Sequence, residues 1–216
     1  VDIKKRELAR FQGFAINEWG WSPKRIRRVK SAISSLSSYI ENILQDEDEE
    51  FENFRSIIGK IQSPTNEAVR EKTIIPDDDV DKFLDKLVSE GRYQQACAFA
   101  LAAMSGARKA ELLRFKVEYF TDENIVYDAL YKTPKIKTKG RGKNGKQLNK
   151  YVLYDFKKYF DLWMNERKEK GIESEWLFVR KCSDGSYAQM KISNLDSWAN
   201  IFSNEVNVDF YWHCMR

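Results

Sequence analysis

The feature that most constrains the fold is an almost uninterrupted apolar stretch over residues 93–104. At helical spacing this stretch is hydrophobic on nearly every side, and a helix of that kind is stable only when other elements surround it. The sequence therefore predicts a central buried helix, in which Cys97 is a small core residue. With 216 residues, the chain has room for a domain that encloses this helix and for a smaller second domain.

Two short segments carry the residues most suited to chemistry. In the first, residues 105–112, a glycine follows the apolar helix and Arg108 stands two positions later, at the predicted start of a short helix. In the second, His213 is the only histidine of the chain and Arg216 follows it by three residues, so that on a helix both would lie on one face. Two guanidinium groups and an imidazole are suited to binding a phosphate and moving a proton near it.

In these segments the chain resembles the tyrosine recombinases, the phage-integrase family. Residues 105–112 match the family's Thr/Ser-Gly-x-Arg-x-x-Glu-Leu box, and His213 with Arg216 matches its His-x-x-Arg box. The resemblance extends from about Lys82 to Arg216 and, more loosely, over the basic helical region before it. It implies a mainly α fold with a small antiparallel β-sheet, in which an N-terminal helical core-binding domain precedes an α+β catalytic domain.

The resemblance also implies a metal-free transesterification of DNA, without a cofactor, through a 3′-phosphotyrosine intermediate. Arg108 and Arg216 would meet the charge that develops on the non-bridging phosphate oxygens. His213 would act as general acid or base, or as a hydrogen-bond donor to the phosphate. Glu111, one helical turn after Arg108, would hold that arginine in position, which is compatible with a simple salt bridge between the two.

A lysine on a hairpin protonates the leaving 5′-oxygen in this family, and the chain offers several candidates. Residues 132–150 contain eight Lys or Arg and no acid. Lys135, Lys137 and Lys139 alternate, so on one strand they would share a face. Both Lys137 and Lys139 fit the family's pattern, with Lys137 slightly preferred. Lys143 and Lys146 would then contact phosphates from the tip of the hairpin.

The formal net charge of +4 does not identify a nucleic-acid-binding protein, but the distribution of charge is informative. Five of the seven residues 24–30 are basic, whereas residues 46–52 are acidic except for one phenylalanine. Clusters of this kind are typical of a surface with one DNA-facing side. Alone, the basic run would be read as a solvated helix face. Beside the two boxes it predicts DNA contacts by Lys24, Arg25 and Arg28.

Apolar spacing and turn residues divide the chain into a helical domain over residues 1–62, a linker over 63–76 and a catalytic domain over 77–216. The first domain is expected to contain helices over 3–18 and from Ser22-Pro23 to about 43, the latter with a continuous buried face, and a further helical pattern to about residue 60. In the second, an acidic cap at 77–79 precedes a helix, and helices are expected over 156–170 and 193–205. Strands are expected at 125–127, 130–131 and 151–154, with a turn at 140–145.

The three cysteines are too few and too scattered for a disulfide framework or a metal site, which suggests a reduced, cytoplasmic protein. No apolar run has the length of a membrane span. The expected partner is double-stranded DNA, on which family members form oligomers, as tetrameric synapses. Integrase-like chains usually belong to phages or other mobile elements, and integration, excision and dimer resolution all stay open.

The nucleophilic tyrosine of the family follows the His-x-x-Arg box, and none of the ten tyrosines here occupies that position. Residues 1–216 are therefore expected to bind and position a phosphate but not to cleave DNA by themselves. Three alternatives stay open. The chain could be a DNA-binding module that has kept the fold without catalysis, or an enzyme similar to the type IB topoisomerases, which use the same set of arginine, lysine and histidine. It could also be an unrelated basic helical adaptor in which the two boxes occur by chance.

Overall fold

The computed structural model describes residues 4–65, 73–138, 145–206 and 208–215. The chain forms two compact units, Val1–Glu71 and Lys72–Arg216. Helices predominate and the strands are short and antiparallel, so the predicted fold class is confirmed. The division between the units falls within residues 63–76, where the sequence indicates a linker. Among the described residues, no helix combines the length and the apolar character that crossing a membrane requires.

The first unit is built on two helices, α1 (Lys5–Asn17) and α2 (Pro23–Tyr39). As the sequence predicts, Ser22 caps α2, since its hydroxyl accepts a hydrogen bond from the Arg25 backbone N–H and Pro23 occupies the first turn. The chain continues from α2 through a π-helical turn, Ile40–Leu44, into the short helix α3 (Gln45–Glu47).

Two predictions for this unit are wrong. Residues 51–60 do not form a helix: only two single 3-10 turns are found, at Glu49–Phe51 and Ile58–Lys60. The predicted buried face of α2 is buried only in part, since Ile26 is 3% exposed but Leu36 is 59% exposed. Both outcomes have one physical cause, because a unit this small has too few elements to cover every apolar position.

The second unit is organised around the predicted central helix, α5 (Tyr93–Ser105), whose residues 96–102 are all buried. It packs against α4 (Asp77–Ser89) and α7 (Lys157–Glu169). The acids at 77–79 form the first turn of α4 rather than a cap before it, and there they face the positive end of the helix dipole. The other helices of this unit in the described residues are α6 (Lys109–Leu112) and α8 (Ile192–Val206).

Three small antiparallel sheets complete the described part of this unit. The first has the order β1 (Ile125–Val126), β2 (Leu130–Lys132), β5 (Tyr151–Leu153), with Tyr131 opposite Val152. Its strands agree with the predicted ones. The second sheet pairs β3 (Ile136–Lys137) with β4 (Gln147–Leu148), where the lysine hairpin is expected. The third pairs β6 (Val179–Lys181) with β7 (Tyr187–Gln189) and was not predicted. The predicted turn at 140–145 lies largely outside the described residues.

Aromatic side chains fix the end of the chain to this core. The ring of Phe99 on α5 lies 5.0 Å from that of Phe83, 5.7 Å from that of Phe202 on α8 and 5.6 Å from that of Phe210. Phe210 is 3% exposed and stands three residues before His213. The same cluster that encloses α5 therefore anchors the segment that carries the histidine.

Candidate active site

The junction between α5 and α6 places Arg108 by local backbone chemistry. Gly106 ends α5 with φ of 55°, a left-handed conformation that a glycine adopts without steric cost. Arg108 then takes the extended N-cap position of α6, and the carboxylate of Glu111 accepts a hydrogen bond from the Arg108 backbone N–H at 2.9 Å. The glycine, the arginine and the glutamate of the first box thus have defined structural roles in one tight turn.

Glu111 is the centre of a small buried charge cluster. Its side chain is 2% exposed, and Oε1 accepts a hydrogen bond from Arg108 Nη1 at 2.9 Å. Oε2, which already accepts the Arg108 backbone N–H, also lies 2.6 Å from Lys150 Nζ. Burial alone would raise the pKa of this carboxyl, but the hydrogen bonds from Lys150 and Arg108 outweigh it, so the pKa of Glu111 is lowered. The group is therefore a carboxylate at neutral pH.

The guanidinium of Arg108 is held but not enclosed. One of its nitrogens, Nη1, is used by Glu111, while the side chain remains 32% exposed. Since a guanidinium carries five N–H donors, the exposed part can donate to an anion such as a phosphate. The predicted combination, in which Glu111 orients Arg108 toward a phosphate, is geometrically possible here, and the role itself stays a prediction.

Sequence reasoning missed Lys150. It lies within the run of eight basic residues, where no spacing distinguishes it from the others. In the fold its backbone is fixed to the end of β2: its N–H donates to Thr133 Oγ1 and its carbonyl accepts from Thr133 N–H, both at 2.9 Å. Thr133 is itself 1% exposed. Only the tertiary pairing of the sheet with α6 brings this lysine to Glu111.

His213 is exposed and lines a small cleft beside α6. The cleft measures about 210 Å³, and its walls include Lys109, Asp196 and Tyr211. The neighbouring Trp212 is buried and its indole N–H donates to the Leu195 carbonyl at 2.7 Å, which fixes the segment on α8. Lys109, the residue next to Arg108, thus lies on the same cleft as His213.

The surroundings of the second box differ from the predicted helix. Residues 212–215 form a turn, in which the Cys214 N–H donates to the Tyr211 carbonyl at 2.8 Å. The helix predicted for this box is therefore not observed at His213. Arg216 lies outside the described residues.

Among the hairpin lysines that the structure describes, Lys137 contacts the chain just after α6. Lys137 is exposed on β3 opposite Gln147, and its carbonyl accepts a hydrogen bond from the Arg114 guanidinium. Lys146 is exposed, and its carbonyl accepts from the Thr138 N–H at 2.6 Å. The predicted strand through all three alternating lysines is not observed, since Lys135 precedes β3. Lys139 and Lys143 lie outside the described residues.

The basic run of α2 separates into two groups. The three residues predicted to contact DNA are all exposed, and the guanidinium carbon of one of them, Arg25, lies 4.2 Å from the centre of the Trp21 ring. The other two cations of the run are used within the unit, since Arg27 donates to the Pro64 carbonyl and Lys30 to Ser63 Oγ at 2.9 Å. Lys24, Arg25 and Arg28 thus remain accessible to a partner.

Two known proteins are similar to the chain, one in sequence and one in fold. The chain is 30% identical over 207 residues to the SPbeta prophage-derived recombinase-like protein YomM of Bacillus subtilis (strain 168), a match that covers 96% of the chain and 59% of that protein. Its fold matches the crystal structure of XerA recombinase with a TM-score of 0.50, at 12% identity, over 99% of this chain and 66% of that one.

Both comparisons support the resemblance to the tyrosine recombinases, since the relative is named recombinase-like and the chain shares its fold with a recombinase. The chain spans about three fifths of the length of the curated relative. No model of a protein family matches the sequence. The resemblance therefore depends on this relative, on the shared fold and on the two boxes.

Proposed function

We propose that this protein is a site-specific DNA recombinase that cleaves and rejoins strands through a 3′-phosphotyrosine intermediate. The observation that carries the proposal is the position of Arg108, a partly exposed guanidinium held by a buried carboxylate at the start of α6. Only Nη1 of this guanidinium bonds to the carboxylate, so its exposed part can donate to phosphate oxygens. The prophage-derived name of the relative supports an origin in a mobile element.

In the proposed reaction, a tyrosine oxygen forms a bond to the scissile phosphorus and the 5′-oxygen of the next nucleotide leaves. Arg108, together with Arg216, neutralises the charge on the non-bridging oxygens. His213 exchanges a proton with the phosphate or the nucleophile, and a hairpin lysine, Lys137 or Lys139, protonates the leaving oxygen. Reversal of these steps with a 5′-hydroxyl from another strand rejoins the DNA.

Double-stranded DNA is the proposed substrate, and an oligomer on DNA the proposed active form. The exposed group Lys24, Arg25 and Arg28 would contact the phosphate backbone, and Lys143 and Lys146 would do so from the hairpin. These contacts give affinity and orientation, while the cleavage step is assigned to the charged groups around Arg108.

The test is covalent trapping with the natural full-length protein on nicked duplexes that lose their cleaved end. We expect a denaturation-resistant protein–DNA adduct attached through a tyrosine. Arg108→Ala should lower its rate of formation by at least about 100-fold, the usual effect of removing a donor that stabilises the transition state. Arg55→Ala, which removes the same charge from an exposed residue of the first unit, is the control and should react as the wild type does.

Two results would contradict the proposal. If no duplex gives an adduct while binding stays sensitive to salt, the protein is a DNA-binding module of this fold. If an adduct forms and supercoils are relaxed without any pairing of two sites, the chemistry is that of a type IB topoisomerase instead.

A further inference from the structure

The geometry points to a further residue of this site. We propose that Lys150 is a positioning residue for Arg108, acting through the carboxylate of Glu111. This inference depends on the proposed function, since it concerns the same phosphate site. It concerns a residue that lies in neither box and that no feature of the sequence distinguishes.

The charges of the cluster around Glu111 do not cancel. One carboxylate, Glu111, contacts two cations, with Lys150 Nζ at 2.6 Å and Arg108 Nη1 at 2.9 Å. Arg108 and Glu111 alone would form a neutral pair, which attracts a phosphate weakly. With Lys150 the cluster carries a net charge of +1. Because its members are largely removed from water, that charge is screened less than a surface charge would be.

The two carboxylate oxygens of Glu111 have different partners. Oε2 accepts from Lys150 and from the Arg108 backbone N–H, while the side chain of Arg108 bonds to Oε1. Lys150 therefore holds the carboxylate in the orientation that presents Oε1 to the guanidinium. Without it, Glu111 could rotate to accept a second N–H from Arg108, and the guanidinium would turn away from the exposed side.

Lys150 is itself fixed by its neighbours. Its backbone makes two hydrogen bonds with the buried Thr133. The side-chain amide of the preceding residue, Asn149, donates to the Thr133 carbonyl at 2.7 Å. The side chain of Lys150 is only 16% exposed. The ion pair between this ammonium and Glu111 thus links the sheet to α6. The Arg114–Lys137 hydrogen bond joins the hairpin to the same region. Arg108 and Lys137 are thereby held in one frame.

The experiment uses the full-length protein and the nicked duplexes described above. Lys150→Met keeps most of the length of the side chain and removes its charge. We expect adduct formation at saturating DNA to slow by about 10- to 100-fold, because a misplacement of about 1 Å in an oriented group can cost about 100-fold. DNA affinity should change by no more than about twofold, and Lys150→Arg should restore most of the rate.

The control is Lys116→Met, because Lys116 forms an ion pair of the same 2.6 Å length with Glu175 outside this site. It should leave the rate unchanged. Amide exchange of residues 93–105 checks that both variants keep the fold, and Lys150→Gln replaces Lys150→Met if that variant does not fold.

Three results would overturn the inference, and they are distinguishable. If Lys150→Met reacts at the wild-type rate while Arg108→Ala does not react, Lys150 has no positioning role and the proposed function stands. If the rate falls but Lys150→Arg does not restore it, or if the protection of residues 93–105 falls in parallel, Lys150 serves only the fold. If Arg108→Ala reacts normally, or if the wild type forms no adduct, both proposals fail.

Discussion

Replacing Glu111 by glutamine tests the buried charge cluster directly. The substitution keeps the size of the side chain but leaves Arg108 and Lys150 beside a neutral amide, so that two cations face each other without the anion between them. Glu111 is 1% exposed. We therefore expect a substantial loss of stability, even though the new side chain can still accept one hydrogen bond.

The magnitude follows from the burial of the three groups. Removing one partner of a buried ion pair costs about 3–5 kcal/mol, since the remaining charge stays uncompensated. Here the partners reach water in part, with Arg108 32% and Lys150 16% exposed, so we expect the lower end, about 3 kcal/mol. A loss of that size speeds the exchange of amides that open only by unfolding by about 100-fold.

The loss should depend on pH, because the pKa of Glu111 is lowered in the folded protein. A carboxyl of this kind contributes its stability above its unfolded pKa and loses it as the pH falls through the folded value. The difference between wild type and Glu111→Gln should therefore be full at pH 7 and should shrink below about pH 4.

The measurement is amide hydrogen exchange of residues 93–105, the buried helix of the second unit, which reports the unfolding of that unit by itself. Glu175→Gln is the matched control: its carboxylate also contacts a lysine at 2.6 Å but is 57% exposed, and we expect no measurable change. If Glu111→Gln exchanges as slowly as this control at pH 7, the charge cluster does not stabilise the fold and the reasoning is wrong.

Two further predictions concern the hairpin and α2. Gly145→Ala should speed exchange of the Thr138 amide by about 5- to 30-fold, because φ is +57° and a Cβ would lie 3.1 Å from the Thr138 carbonyl oxygen. Gly171→Ala, at φ of +61° in open space, should leave that amide unchanged, and equal exchange in both variants would contradict the prediction. Arg28→Ala should reduce the slope of log affinity against log salt by about 0.9 for the lost phosphate contact. An unchanged slope, as expected for Arg55→Ala, would remove Arg28 from the DNA-binding surface.

Local patterns predicted those parts of the fold that depend on neighbours in sequence. The helix α5 follows from its apolar composition and the start of α2 from Ser22-Pro23, and both are confirmed. The helix predicted over residues 51–60 is absent for the opposite reason. Its apolar residues have helical spacing, but a helix of this kind is stable only when its apolar face packs against other elements. The first unit provides too little apolar surface for that packing.

The burial of a charged side chain could not be predicted from the sequence either. Arg167 lies on α7 and is 3% exposed, with its guanidinium donating to the carbonyls of Ser174, Trp176 and Leu177. In the sequence it is one of 37 basic residues and reads as solvated. Its burial is compensated because the segment that follows α7 folds back and three of its carbonyls replace water as acceptors.

The sequence by itself determined the family resemblance, the central helix and the turn that presents Arg108, because glycine, arginine and glutamate act there on their own backbone within one helical turn. The tertiary structure decided which lysine reaches Glu111, which cations of α2 remain accessible and that His213 lies beside α6. Those outcomes depend on contacts between residues far apart in the chain. No local pattern encodes them, because the energy of each contact comes from a surface that exists only after folding.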